Sequence, residues 1–136
     1  MLNRILTVSA VLFLCLAALA QKPQKLVFTE RVKQLGSIPF SDSTTVLFHY
    51  RNEGKQPLTI LKVHPGCTCL VPDYSRKLLS PGDSATFTLR YKPSHPGPFS
   101  NAVTITYTVE GSQELEIVRI GIKGTATEKP CSSCDN

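Results

Sequence analysis

The sequence predicts an all-β sandwich, and three patterns lead to this fold class. Apolar and polar residues alternate with a period of two over several stretches, as in strands that bury one face. Turn-forming residues separate these stretches at intervals of roughly 8–12 residues, and helical periodicity is nearly absent. Together the patterns predict a single immunoglobulin-like β-sandwich of about seven antiparallel strands.

The N-terminus has the pattern of a secretory signal peptide. Arg4 is followed by a mostly apolar run over residues 5–20, which ends in A-L-A. A charged start, a short apolar stretch and a small-residue cleavage site are typical of exported proteins, and the alternative is an uncleaved membrane anchor. The bulky residues before Cys15 argue against lipid attachment at that cysteine. We therefore expect a periplasmic or secreted protein.

The strand pattern is clearest in three places and weaker in three others. The clear strands are residues 45–51, 84–92 and 103–109. The weaker candidates are residues 25–30, 57–63 and 114–123. The predicted inward side chains are Val46, Phe48, Tyr50, Ala85, Phe87, Leu89, Tyr91, Val103, Ile105, Tyr107 and Val109. In the last candidate strand the apolar positions change parity after Ile117, which predicts a bulge there or burial of both faces.

The chain divides into three parts. We expect a signal peptide over residues 1–20, one sandwich domain over residues 21–125, and a polar tail with a C-x-x-C motif over residues 126–136. The formal net charge is +5, but Lys and Arg are spread along the chain without a run that would follow a phosphate backbone. We expect no nucleic-acid partner and, after signal cleavage, no membrane association.

Several short motifs, taken in order, resemble a secreted bacterial family known as domain of unknown function 1573. They are L-G-S-I at 35–38, V-x-F-x-Y-R-N-x-G-K-Q-P-L-x-I at 46–60, C-x-C at 67–69, L-S-P-G-D at 79–83 and G-x-F at 97–99. That family is similar to the MSP/ASH group of PapD-like immunoglobulin folds, so the resemblance implies this fold for nearly all of residues 25–125 and implies no activity. The family often has glycine between the paired cysteines, where this chain has Thr68.

Four cysteines remain after the signal peptide: Cys67, Cys69, Cys131 and Cys134. In an oxidising compartment they are expected to form one or two disulfides, with the connectivity open. Extended residues two apart have Cα atoms about 6.6 Å apart, so a Cys67–Cys69 bond requires a turn, which Pro65-Gly66 can supply. Cross-links between the two pairs would close a loop of about 64 residues and contribute roughly 4 kcal/mol.

Two other uses of the sulfurs compete with structural disulfides. His64, Cys67 and Cys69 supply soft ligands for zinc or cuprous copper, although their spacing is not that of a zinc motif. Thiol–disulfide exchange by Cys131 and Cys134 is the other use. No cofactor is otherwise expected.

Catalytic motifs are absent from the sequence, with no G-x-S-x-G, H-E-x-x-H or Walker pattern. Glu114 and Glu116 share one face of a predicted strand and are expected to face water, as are His49 and His95. We therefore predict that the protein is not an enzyme.

The preferred hypothesis is an exported immunoglobulin-like module with a binding or structural role in the cell envelope and a protein partner at an exposed strand edge. The alternative is a thiol-dependent metal-binding or redox protein. The oligomeric state stays open.

Overall fold

The chain passes back and forth between two four-stranded sheets. A computed structural model describes residues 24–128, and within this range it contains eight strands and no helix, so it has no helix that could cross a membrane. The strands are β1 (Leu26–Phe28), β2 (Val32–Pro39), β3 (Thr44–Asn52), β4 (Leu58–Pro65), β5 (Leu70–Asp73), β6 (Ser84–Tyr91), β7 (Gly97–Val109) and β8 (Leu115–Thr127). The predicted signal peptide, Cys131 and Cys134 lie outside the described residues.

One sheet has the order β1-β3-β6-β5 and is called the β3–β6 sheet; the other has the order β2-β8-β7-β4 and is called the β7–β8 sheet. The all-β sandwich is confirmed. Neighbouring strands are antiparallel except β2, which runs parallel to β8. The alternation pattern predicts neither β2 nor β5. β2 is mostly exposed and shifts its register between Gln34 and Ser37, and β5 has four residues that include Pro72, so neither shows a long alternation.

The core lies between the sheets and includes nearly all of the residues that the alternation predicted to point inward. Val46, Phe48 and Tyr50 of β3 are buried, as are the predicted residues of β6 and β7 except Ala85, which is partly buried. The rings of Phe28, Phe48 and Phe87 meet edge to face, with centroids 6.4 to 6.5 Å apart. Aromatic pairs prefer this geometry because the positive ring edge faces the negative ring face.

The prediction for β8 is wrong, because the strand has neither a bulge against β7 nor a core residue at Ile117. Its register with β7 is continuous from Gly97 opposite Ala126 to Thr108 opposite Leu115. This register turns Glu116 inward and leaves Leu115 and Ile117 exposed at 62% and 58%. A hairpin turn joins β7 to β8, where the Ser112 N–H donates to the Val109 carbonyl oxygen at 2.9 Å. A change of register by one residue would have reversed every side chain of β8.

β8 also continues through Thr127, which is past residue 126, the expected start of the tail. Its last residues pair with the beginning of β7 and with the end of β2. The last residues of β8 therefore lie at the end of the sheet where β7 begins.

Candidate functional site

The chain crosses from the β7–β8 sheet to the β3–β6 sheet at the two cysteines. The Gly66 N–H donates to the carbonyl oxygen of Ala102 in β7 at 2.9 Å, and the Lys92 N–H donates to the carbonyl oxygen of Cys69 at 3.0 Å. The crossing is therefore completed within residues 67–69. We call residues 66–70 the corner.

The corner joins Cys67 to Cys69 by a disulfide, with Cα atoms 5.2 Å apart. This separation is shorter than the extended spacing because the chain turns at the cysteines themselves, where the Leu70 N–H donates to the Cys67 carbonyl at 3.4 Å. β4 stays extended through Pro65 and the chain bends from Gly66 onward, so the turn lies nearer the cysteines than the expected position at Pro65-Gly66. Glycine is required at 66 for a different reason: a Cβ atom there would lie 2.8 Å from the Ala102 carbonyl oxygen.

A cleft of about 310 Å³ opens beside the disulfide. Its walls include Cys67, Cys69, Tyr91, His95, Phe99 and Asn101. The rings of Tyr91 and Phe99 have centroids 4.6 Å apart and form an aromatic wall. Burial raises the pKa of Tyr91, and its hydrogen bond with Asn101 opposes this rise. Cys67 and Cys69 are partly buried against the core and also line this cleft.

The proposed metal ligands are not brought together. His64 is exposed and lies in β4 opposite Thr104, whose neighbours Val103 and Ile105 point into the core. The sulfurs of Cys67 and Cys69 are bonded to each other, and a metal ligand has to be a thiolate. No group of three or more His, Cys, Asp or Glu suited to a metal ion occurs within residues 24–128.

A polar cluster that the sequence analysis missed lies near the β7–β8 hairpin. The Tyr107 hydroxyl donates to Glu116 Oε2 at 2.7 Å, and Lys25 Nζ forms an ion pair with Glu116 Oε1 at 3.0 Å. Burial and the Glu116 hydrogen bond raise the pKa of Tyr107 to about 12. The expectation that Glu116 faces water is wrong, although its parity with Val118 along the strand could have shown that it points inward. The cluster ties the start of β1 to the hairpin.

A second polar group, Asn52, holds the end of β3. Its side chain is completely buried and makes three hydrogen bonds of 2.9 Å. The amide donates to the carbonyl oxygens of Gln56 and Leu79, and its oxygen accepts from the Gly54 N–H. Asn52 is therefore a structural residue, because every partner belongs to the main chain of a neighbouring turn or loop.

The outer surface of the β7–β8 sheet carries exposed aliphatic side chains next to an edge strand. Leu115 lies opposite Thr108 and Ile117 opposite Thr106, so the pairs share the outer face. On the other side of β7, the register of β4 shifts between Ile60 and Lys62, and the intervening Leu61 is exposed. We call Leu61, Thr106, Thr108, Leu115 and Ile117 the outer patch.

Solved structures of similar fold define the class of protein. The human CEP192 ASH/PapD-like domain 7 has a TM-score of 0.68 at 9% identity, with 82% of this chain and 92% of that chain covered. The Caenorhabditis elegans MSP family member WR4 has a TM-score of 0.56 at 12% identity, with 77% and 100% covered. The Vibrio cholerae protease VesB has a TM-score of 0.64 at 15% identity, with 76% of this chain and 32% of the protease covered. These likenesses show a PapD-like immunoglobulin fold alone.

Within this class, residues 26–125 match the proteins of unknown function DUF1573, and the chain belongs to that family. The family resemblance is thus confirmed, and it brings no activity with it. No curated protein matches the sequence.

Proposed function

We propose that the protein is an exported, non-catalytic immunoglobulin-like module that binds a protein partner in the cell envelope. The observation that carries this proposal is the outward position of Leu115 and Ile117. Single exposed aliphatic side chains are common, whereas a contiguous exposed apolar patch often marks an interaction site. Here Leu115 and Ile117 of β8 share one face of the sheet, and the exposed Leu61 of β4, the other strand that pairs with β7, adds a third aliphatic side chain.

The surroundings of the outer patch indicate the chemistry of the partner. Lys62 lies opposite Thr106 on one side, and Arg119, one outward position beyond Ile117, lies opposite Thr104. Both basic residues are exposed. An apolar centre with a charged rim is the usual anatomy of a protein interface. The matching surface would have exposed aliphatic side chains and acidic residues around them, since opposite charges speed and orient association.

The signal-peptide pattern of residues 1–20 predicts that the protein is exported. An exported protein would meet its partner in the cell envelope. We expect the mature chain to begin at Gln21. Mass spectrometry of the protein from a periplasmic extract tests this, and a full-length chain that sediments with the membrane would contradict it.

The binding test uses a photo-crosslinking amino acid at Thr106, in the middle of the outer patch, expressed in the native host. Leu115→Thr combined with Ile117→Thr removes apolar surface while keeping residues that favour strands. Leu47→Thr is the matched control, since Leu47 is also exposed, at 50%, on the outer face of the other sheet. We expect a crosslinked protein adduct that survives the control substitution and disappears in the double variant. An adduct that is unaffected by the double variant, or a lone monomer both in crosslinking and in sedimentation, would overturn the proposal.

A thiol-dependent role is a second candidate, and the disulfide on the cleft wall is the observation that favours it. The native protein is alkylated with and without reductant, and its intact mass and metal content are measured. These measurements distinguish a metal carrier from a redox protein. Stoichiometric metal with free thiols would support a metal carrier. Alkylated thiols without metal would support a redox role, and four protected sulfurs without metal would end this candidate.

A further inference from the structure

We propose that a depression on the outer face of the β7–β8 sheet is a binding site for a phosphate group. It has a volume of about 150 Å³, and we call it the basic depression because Arg31, Arg119 and Lys123 line it together with Ala102 and Gly121. The proposal goes beyond the partner-binding role, since it assigns a separate site for a small anion. Three observations carry it: the shape of the depression, the convergence of basic residues on it, and their lack of acidic partners within residues 24–128.

The basic depression exists because two small residues lie side by side in the sheet. Ala102 of β7 is opposite Gly121 of β8, and glycine has no side chain to fill the outer face. A Cβ atom at Gly121 would lie 3.0 Å from the Asn101 carbonyl oxygen, so a larger residue does not fit there easily. Val32 of β2 pairs with Gly121 on its other side and also lines the depression. The register of three strands therefore determines where the depression lies.

Three basic residues surround this floor of small residues. Arg119 and Lys123 lie two positions before and two positions after Gly121, so all three share one face of β8. Their Cα atoms are about 6.6 Å from that of Gly121, a distance that long arginine and lysine side chains can cover. Arg31 lies beside the same point, because its carbonyl oxygen accepts a hydrogen bond of 2.7 Å from the Gly121 N–H. All three basic residues are exposed.

No carboxylate in the described part of the chain neutralises these three charges. The ion pairs between described residues involve none of them. Glu30 precedes Arg31 in the sequence, but its carboxylate pairs with Lys33 at 2.9 Å. Arg31 donates instead to the side chain of Gln24, which is neutral. Among residues 24–128, those that line the basic depression include no aspartate or glutamate. A positive potential therefore collects at this point and attracts an anion.

Size and charge together indicate the chemical class of the ligand. A volume of about 150 Å³ corresponds to about five waters at roughly 30 Å³ each, so it can hold the five heavy atoms of a tetrahedral oxyanion. Guanidinium groups donate paired hydrogen bonds to such oxyanions, and lysine adds a point charge. Ser100, which lies opposite Lys123 and also lines the depression, adds a hydroxyl group. Three cations suit a group with more than one negative charge, and a phosphate monoester carries about −1.5 to −2 at neutral pH.

The first experiment titrates the exported protein with inorganic phosphate and follows its backbone amide signals by NMR. The ionic strength is held constant with sodium chloride, because salt screens exposed charges. We expect saturable shifts at Gly121 and Ala102, with sulfate giving a similar response. Acetate, which carries a single charge, should bind roughly tenfold more weakly. Shifts that never saturate, or an equal affinity for acetate, would overturn the proposal.

A pair of variants separates this site from the general positive charge of the protein. Arg119→Gln with Lys123→Gln removes two of the three cations. Arg90→Gln with Lys92→Gln is the matched control, since it removes the same charge from exposed positions at the end of the other sheet's β6. The Kd for phosphate should rise by at least about tenfold in the first variant and by less than about twofold in the control. Equal effects would show that phosphate responds to net charge alone and would refute the site.

Ala102→Thr tests the shape of the basic depression without changing its charge. The larger side chain would occupy the floor next to Gly121, and threonine is well suited to a strand. Phosphate should bind this variant at least about tenfold more weakly, with a circular dichroism spectrum like that of the unsubstituted protein. An unchanged Kd in the folded variant would place the anion elsewhere on the surface and overturn the proposal.

Sedimentation with vesicles identifies the source of the phosphate group. The vesicles contain phosphatidylglycerol and phosphatidylcholine, and phosphatidylcholine alone is the control. We expect binding of inorganic phosphate without vesicle binding, which supports a free phosphate or a small phosphate ester. Binding of both that is lost in Arg119→Gln with Lys123→Gln would support a lipid headgroup at the same site. Vesicle binding by a protein that does not respond to inorganic phosphate would contradict the site. None of these measurements involves the protein partner, so failure here leaves the binding proposal intact.

Discussion

Replacing Asn52 by alanine should destabilise the protein more than any exposed substitution, because the side chain is buried and all its hydrogen-bonding groups are used. The alanine would leave the Gly54 N–H and the carbonyl oxygens of Gln56 and Leu79 without these bonds. At about 1 kcal/mol net for each of three bonds, the free energy of unfolding should fall by about 3 kcal/mol. Domains of this kind have roughly 5–15 kcal/mol in total, so the loss is large.

Urea unfolding followed by circular dichroism measures this loss, and thermal unfolding should show a midpoint lower by roughly 15 °C. The control is Gln56→Ala, because the side chain of Gln56 is exposed and only its main-chain carbonyl binds Asn52. The control should change stability by less than about 0.5 kcal/mol. A loss below about 1 kcal/mol for Asn52→Ala would show that the three bonds do not hold the turn as argued.

A substitution of equal size separates hydrogen bonding from packing. In Asn52→Asp, a carboxylate would face the carbonyl oxygens of Gln56 and Leu79 in place of the donating amide. This repulsion raises the folded-state pKa of the carboxyl group above its unfolded value of about 3.9, so the deficit relative to the natural protein should be smallest below about pH 4 and grow as the pH rises. A deficit that is constant with pH would indicate that packing, and not the donor positions, is what Asn52 supplies.

Two further predictions concern Tyr107 and Gly66. Tyr107 has a pKa of about 12 in the fold against 10.0 for the free group, so the unfolded chain loses its proton first and stability should fall by about 2 kcal/mol between pH 10 and pH 12. Tyr107→Phe should flatten this part of the urea-unfolding profile, and an unchanged slope would contradict the raised pKa. Gly66→Ala should cost about 1–3 kcal/mol because its Cβ would lie 2.8 Å from the Ala102 carbonyl oxygen. The exposed Thr68→Ala is its control, and equal unfolding midpoints for the two would refute the close-contact argument.

Much of the fold could be predicted because alternation along a strand directly records which face is buried. The residues of β3, β6 and β7 were placed correctly for this reason. β8 was misread because its aliphatic residues occur at both parities, and the pattern alone cannot say which parity faces the core. Pairing with β7 decides it, and this leaves Leu115 and Ile117 outside.

The candidate sites were also predictable only in part, where a local sequence pattern records them. The sequence left the connectivity of the four cysteines open, and it placed the turn that a Cys67–Cys69 bond requires one residue too early, at Pro65-Gly66. The close approach of Gly66 to Ala102 depends on a strand that is distant in sequence, so no local pattern could reveal it. The tail cysteines Cys131 and Cys134 could be seen in the sequence, but they lie outside the described residues.

By itself, the sequence determined the all-β class, the inward faces of the central strands and the resemblance to a family without known activity. The tertiary structure alone decided the parallel pairing of β2, the inward position of Glu116 and the crossing of the chain between sheets at the cysteines. The physical reason is that side-chain alternation is a local consequence of backbone geometry. Strand register and close contacts instead join residues far apart in the chain, and only packing selects among them.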